Sequence, residues 1–83
     1  FSFESVLNPF LNEMQYEVSS PVNGFMKVEL IDAYGRIVRA ETQQIYAGIN
    51  SLNIYNTDKL SAGAYLLRAS LNGKMIIRRV VKK

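Results

Sequence analysis

An all-β fold is the class this sequence predicts, on three observations. Apolar and polar residues alternate at a spacing of two, as Met26, Val28 and Leu30 do against Lys27 and Glu29; this is the period of a half-buried strand. Asn-Gly pairs stand at 23–24 and 72–73, and such a pair supplies the two positive-φ residues of a tight type I′ hairpin turn. The stretches between turn signals are short, apolar and rich in β-favouring residues.

The elements follow in order. Phe1 and Phe3, with Ser5 and Leu7, form one face of a first strand that Asn8-Pro9 ends, because proline cannot donate to a ladder and biases the residue before it toward extended backbone. Met14, Tyr16 and Val18 alternate with Glu13, Gln15 and Glu17 in the second. The third strand runs into Asp32-Ala33-Tyr34-Gly35, where the aspartate accepts hydrogen bonds from the backbone ahead and the glycine takes the αL position. A fourth strand begins at Arg36. In the fifth, Leu52 and Ile54 alternate with Ser51 and Asn53, and the last two flank Asn72-Gly73. The predicted strands are 2–7, 12–18, 25–31, 36–41, 49–55, 64–71 and 74–81. Seven short antiparallel strands predict a two-sheet sandwich of immunoglobulin-like topology. Tyr65, placed after Leu60 and Gly63, is either a tyrosine corner, its hydroxyl bonded to upstream backbone, or a plain buried strand tyrosine.

Eighty-three residues, 48% of them hydrophobic, make one small domain. A chain of this size buries only about 60% of the surface its unfolded form exposes, so its stability is expected to be sensitive to core truncations such as Leu30→Ala or Leu67→Ala. The chain has no cysteine and so carries no direct sign of redox compartment. No window offers the ~18 to 20 continuous apolar residues of a membrane helix, so no membrane insertion is expected. The opening Phe1-Ser2-Phe3-Glu4 looks like a cut from a longer protein, and Lys82-Lys83 like a natural C-terminus.

The net charge is +3, and five of the ten basic residues (Lys74, Arg78, Arg79, Lys82 and Lys83) fall in the last ten positions, with no acid after Asp58. Such a cluster suits docking on nucleic acid, anionic headgroups or an acidic protein face. It equally suits a solvated edge strand protected by its charge.

Catalysis is not expected. Without histidine no imidazole-based triad can form, and without cysteine as well the usual zinc sets are missing. Asp32 and Asp58 are turn residues, while Glu4, Glu13 and Glu17 fall on exposed strand faces. No calcium loop, phosphate loop or dinucleotide fingerprint is present, so neither metal nor cofactor is expected. Tyr34, Tyr46 and Tyr55 are scattered and build no stacking platform for nucleic acid.

The ordered motifs resemble the type A C-terminal sorting domain of the bacterial type IX secretion system, the Por secretion system sorting domain family. Asn8-Pro9-Phe10 matches its opening box, Asp32 with Gly35-Arg36 its central turn, Gly63 and Tyr65 its glycine–tyrosine entry, and Asn72-Gly73-Lys74 with Arg79-Val80-Val81-Lys82 its closing hairpin. Leu7 stands where the family often has proline. The resemblance implies that residues 1–83 are a single sorting domain detached from a larger N-terminal passenger. It implies partners in the outer-membrane translocon, its shuttle proteins and a sortase-like peptidase. The expected location is the periplasm in transit, then the cell surface or the medium of a Gram-negative bacterium.

The hairpin residues Lys74, Arg78, Arg79, Val80, Val81, Lys82 and Lys83 are the expected recognition face, acting by strand addition or surface docking. Gly35 serves turn geometry; Arg36 either anchors the turn or meets the receptor. The competing expectation is a fibronectin type III-like carbohydrate-binding or adhesion module, with Tyr34, Tyr46 and Tyr55 as its sugar platform.

Overall fold

A computed structural model describes residues 1–83. Seven antiparallel strands, β1 (Ser2–Val6), β2 (Met14–Ser20), β3 (Gly24–Asp32), β4 (Ile37–Ile45), β5 (Gly48–Ile54), β6 (Gly63–Leu71) and β7 (Lys74–Lys82), are joined by loops and one 3-10 turn, Thr57–Lys59. They form two sheets, of order β1-β2-β5 and β4-β3-β6-β7. This is the expected sandwich, with three strands packed on four in immunoglobulin-like order.

Alternation places the core. Met14, Tyr16 and Val18 from one sheet meet Met26, Val28, Leu30, Leu67, Ala69 and Val80 from the other, and Phe10 enters from a loop. Leu30 and Leu67 are fully buried. Residue exchange between the strands is regular through β6 and β7, from Leu71↔Lys74 to Gly63↔Lys82. Asn72 and Gly73 have φ of 50° and 81°, the pair of positive values a type I′ turn needs.

Several expectations are corrected. Asn23-Gly24 makes no hairpin turn, since β2 and β3 belong to different sheets and neither residue has positive φ. Glycine at 24 eases a close approach, because a Cβ there would lie 3.1 Å from Leu71 Cδ1 and the leucine would have to shift by a few tenths of an ångström. Asn23 is used for its side chain, whose Oδ1 accepts a hydrogen bond from the Ala47 amide at 2.8 Å.

A register shift between Phe3 and Ser5 breaks the first strand's alternation. Val6 then packs on the core, and Ser5 and Leu7 are exposed. The second strand lies two residues later than expected, ending on Ser19 and Ser20 opposite Ile49 and Gly48. The fourth runs on to Ile45, with Gln43 and Gln44 paired to Met26 and Phe25. Polar residues concealed both extensions: Ser19 and Ser20 in β2 and Gln43 and Gln44 in β4 carry no apolar alternation, and only their pairing with neighbouring strands makes them part of a ladder.

Candidate recognition surface

β7 is an edge of the four-stranded sheet. At its end the Asn8-Pro9-Phe10 loop closes over it. The Val81 amide donates to Asn8 Oδ1 at 2.9 Å, the Phe10 amide donates to the Val81 carbonyl at 2.9 Å, and the Lys83 amide donates to the Phe10 carbonyl at 3.0 Å. The backbone groups of Val81 therefore point away from β6. With an unbroken register, those of Arg79, Ile77 and Met75 point the same way, and no backbone hydrogen bond joins them to β1 or any loop.

Side chains alternate accordingly. Met75, Ile77, Arg79 and Val81 stand exposed on the outer face, and Lys74, Arg78 and Lys83 are also exposed. Val80 and Lys82 are not: they are 0% and 5% accessible. Val80 packs into the core, and the Lys82 ammonium donates to the Lys83 carbonyl at 2.6 Å. Of these two expected recognition residues Val80 anchors the strand from within, and the Lys82 side chain is shielded and turned back on its own neighbour. Arg78 lies over the Phe3 ring, 5.7 Å from its centroid, joining β7 to the edge of the other sheet.

Beside β7 the outer face carries a shielded ion pair. Arg68 Nε and Nη2 donate to Glu29 Oε1 at 3.0 and 2.8 Å, and Lys27 Nζ is 3.8 Å from Glu29 Oε2. The register places Arg68 between Glu29 and Ile77, and Leu66 between Ile31 and Arg79.

The other motif residues converge on the same end of the sandwich. Asp32 is opposite Tyr65, and Gly63 is opposite Lys82. Asp32 Oδ1 accepts from the amides of Tyr34 and Arg36, both at 2.9 Å, and its Oδ2 accepts from Arg36 Nε at 2.8 Å. The backbone amide of Arg36 above all, then its side chain and the Tyr34 amide, hold the Asp32 carboxyl below the usual range against a smaller opposing effect of burial. Arg36 thus anchors the turn, with its guanidinium 5.4 Å from the Tyr34 ring centroid. Gly35 has φ of 82°, the αL position foreseen for it.

Gly63, at φ 145°, opens β6. The Tyr65 hydroxyl donates to the Ser61 carbonyl at 2.6 Å while its ring packs on Phe10. This is the tyrosine-corner arrangement. The 3-10 turn is tied in by Thr57, whose amide and hydroxyl donate to the carbonyls of Asn12 and Leu11 at 3.0 and 2.9 Å.

Tyr46, between β4 and β5, lies at the opposite end from Tyr34. The three exposed tyrosines share no face, so the sugar platform is not assembled. Sequence reasoning missed the Glu29–Arg68 pair, the Phe3–Arg78 contact and the Asn8–Val81 bond. Only the last left a trace, in the Asn-Pro dipeptide that ends β1.

A sandwich that gathers dispersed motifs at one end, and leaves a basic edge strand beside them, defines a recognition module. Residues 8–83 match the family model described as the secretion system C-terminal sorting domain, and the chain belongs to that family. None of the curated proteins matches it. As a sorting domain of the type IX secretion system it directs the secretion of the protein attached to it and is not catalytic. It meets the secretion machinery, and its cargo leaves for the bacterial surface or the medium.

Proposed function

We propose that the secretion machinery reads this domain through its C-terminal hairpin and the motif-bearing end beside it. Lys74, Arg78, Arg79, Val81 and Lys83 form the contacted surface. Asn8, Pro9, Asp32, Gly35, Arg36, Gly63 and Tyr65 hold the surface in shape, Val80 fastens its strand from below, and Lys82 is shielded beside it. The partners are the outer-membrane translocon and its shuttle proteins, met from the periplasmic side. A sortase-like peptidase then removes the domain from its passenger.

The passenger joins ahead of Phe1. That residue lies near the Ser19 and Gly48 end of the molecule, at the far end from Lys83 along a 34 Å axis. The cargo is thereby kept apart from the motif-bearing end and the last residues of β7. The observation that carries the reading is that β7 combines an open edge with exposed basic side chains and no acid of its own.

The test is a reporter carried by this domain in a bacterium with the type IX machinery. Lys74, Arg78, Arg79 and Lys83, all four exposed, are changed together to glutamate, and folding of the variant is checked by urea unfolding. The expected result is reporter retained in the periplasm. Export at the unchanged level by the folded variant rejects the reading.

A further inference from the structure

We infer that the uncovered part of the β7 edge, residues 75–79, accepts an extended strand from a partner protein, with apolar side chains opposite Met75 and Ile77 and acidic ones opposite Arg78 and Arg79. This rests on the reading of the hairpin as the recognised element and specifies how the element is read.

The window has definite limits. At one end the type I′ turn closes β6 on β7; at the other the Asn8 and Phe10 bonds satisfy Val81 and Lys83. Between them the amides and carbonyls of Met75, Ile77 and Arg79 face outward without a partner. An open, partly apolar edge invites pairing with other chains, and proteins usually blunt it with cover or charge. Here the loop covers only the final stretch, leaving Met75 and Ile77 more than half exposed, at 56% and 53%.

The occupant's chemistry follows from the ladder. Directly opposed residues of paired strands point to the same face and interact. The partner residues opposite Met75 and Ile77 therefore meet apolar neighbours on the outer face. Those opposite Arg78 and Arg79 meet guanidinium groups that no acid of β7 offsets. Backbone bonds supply affinity in such strand addition, and the alternating side chains supply specificity. A second copy of this chain fits poorly, since β7 against β7 would bring Lys74, Arg78 and Arg79 of both into one ribbon with no carboxylate.

Ile77→Pro tests the inference. The Ile77 amide faces away from β6, so proline removes no internal ladder bond, and an outward N–H on an edge strand is where proline is tolerated. Ile77→Lys is the second variant; it keeps the backbone intact and sets a positive charge where an apolar neighbour is required. Folding of each isolated domain is checked by urea unfolding, and export is measured with the same reporter. Both variants should lower export by about tenfold or more, the effect of a lost backbone bond with its neighbours displaced.

Unchanged export by a folded Ile77→Pro or by Ile77→Lys overturns strand addition. If the four-glutamate variant still fails in that case, the hairpin reading survives alone; if it too is exported, both fall. A failing Ile77→Pro beside an exported four-glutamate variant overturns the acidic pattern assigned to the partner. Sedimentation of the unchanged domain as a dimer that Ile77→Pro dissolves would make the occupant a second copy, which also overturns the inference.

Discussion

Tyr16 is 2% exposed, yet its hydroxyl has no hydrogen-bond partner. Burial, with the Glu41 charge second, pushes its phenol well above the usual range, so it stays neutral, and an unpaired buried hydroxyl costs stability. Tyr16→Phe is therefore expected to keep or raise stability, by up to about 1 kcal/mol in urea unfolding. A clear loss would show that the hydroxyl is paired after all. Asp32 is the opposite case, a turn carboxylate with three donors. Its folded-state pKa is lowered, so the stability it contributes is present above the ordinary carboxylate value of about 3.9. That stability is lost as pH falls through the lowered value. Asp32→Ala should lower stability at neutral pH and flatten the acid limb of the stability profile. A parallel downward shift at every pH would count against this linkage. Asp32 was legible in the sequence as a turn residue because its partners lie within four positions; the Tyr16 hydroxyl was not, because its neighbourhood is assembled from another sheet.

Among the elements, β3 and β6 show how a strand can look polar on one side and still bury that side. Glu29 alternates with Met26, Val28 and Leu30 as a residue of the opposite face should, yet it is 5% exposed. Arg68, aligned with it in the next strand, makes that tolerable. Removing Arg68 leaves Glu29 only the longer contact with Lys27, whereas replacing both members of the pair with apolar residues can be nearly neutral. Arg68→Leu is expected to cost about 2 kcal/mol, the scale of lost hydrogen bonds to a charged group, and Glu29→Leu with Arg68→Leu within about 1 kcal/mol of the unchanged domain. Chemical denaturation of the two variants checks the difference; equal losses would mean that the pair is not the cause. The strands themselves were legible wherever alternation was strict, as in β2, β3 and β5. Legibility failed in β1, where a register shift moved Val6 inward in place of Leu7, and in the second half of β4, where glutamines continue a strand that only its pairing with β3 defines.

On the scale of the whole molecule, the two ends of the sandwich do different work. One collects the Asn8 loop, the Asp32 turn, Gly63, Tyr65 and the end of β7; the other holds the Asn72-Gly73 turn and the first residues of β1. The family match begins at residue 8, so β1 lies ahead of the matched region, although Phe3 beneath Arg78 joins it to the recognition edge. The basic terminal cluster was plain in the sequence, and so was its place on a hairpin. Its division into presented and shielded residues was not. Val80 and Lys82 sit among Arg78, Arg79, Val81 and Lys83 with nothing in composition to set them apart, and only the side of β7 that meets the core separates them.

By itself the sequence determined what depends on neighbours a few positions away. The strand periods, the positive-φ hairpin at Asn72-Gly73, the Asp32 turn and the tyrosine at the start of β6 are all local, governed by backbone sterics and short-range hydrogen bonds. The tertiary structure alone decided that Asn23-Gly24 crosses between sheets, that Asn8 reaches Val81 across most of the chain, that Lys82 is buried, and which five residues of β7 stay uncovered. Those outcomes depend on which strands become neighbours. Sheet order is set by the burial of the whole core, and no single stretch of sequence carries it.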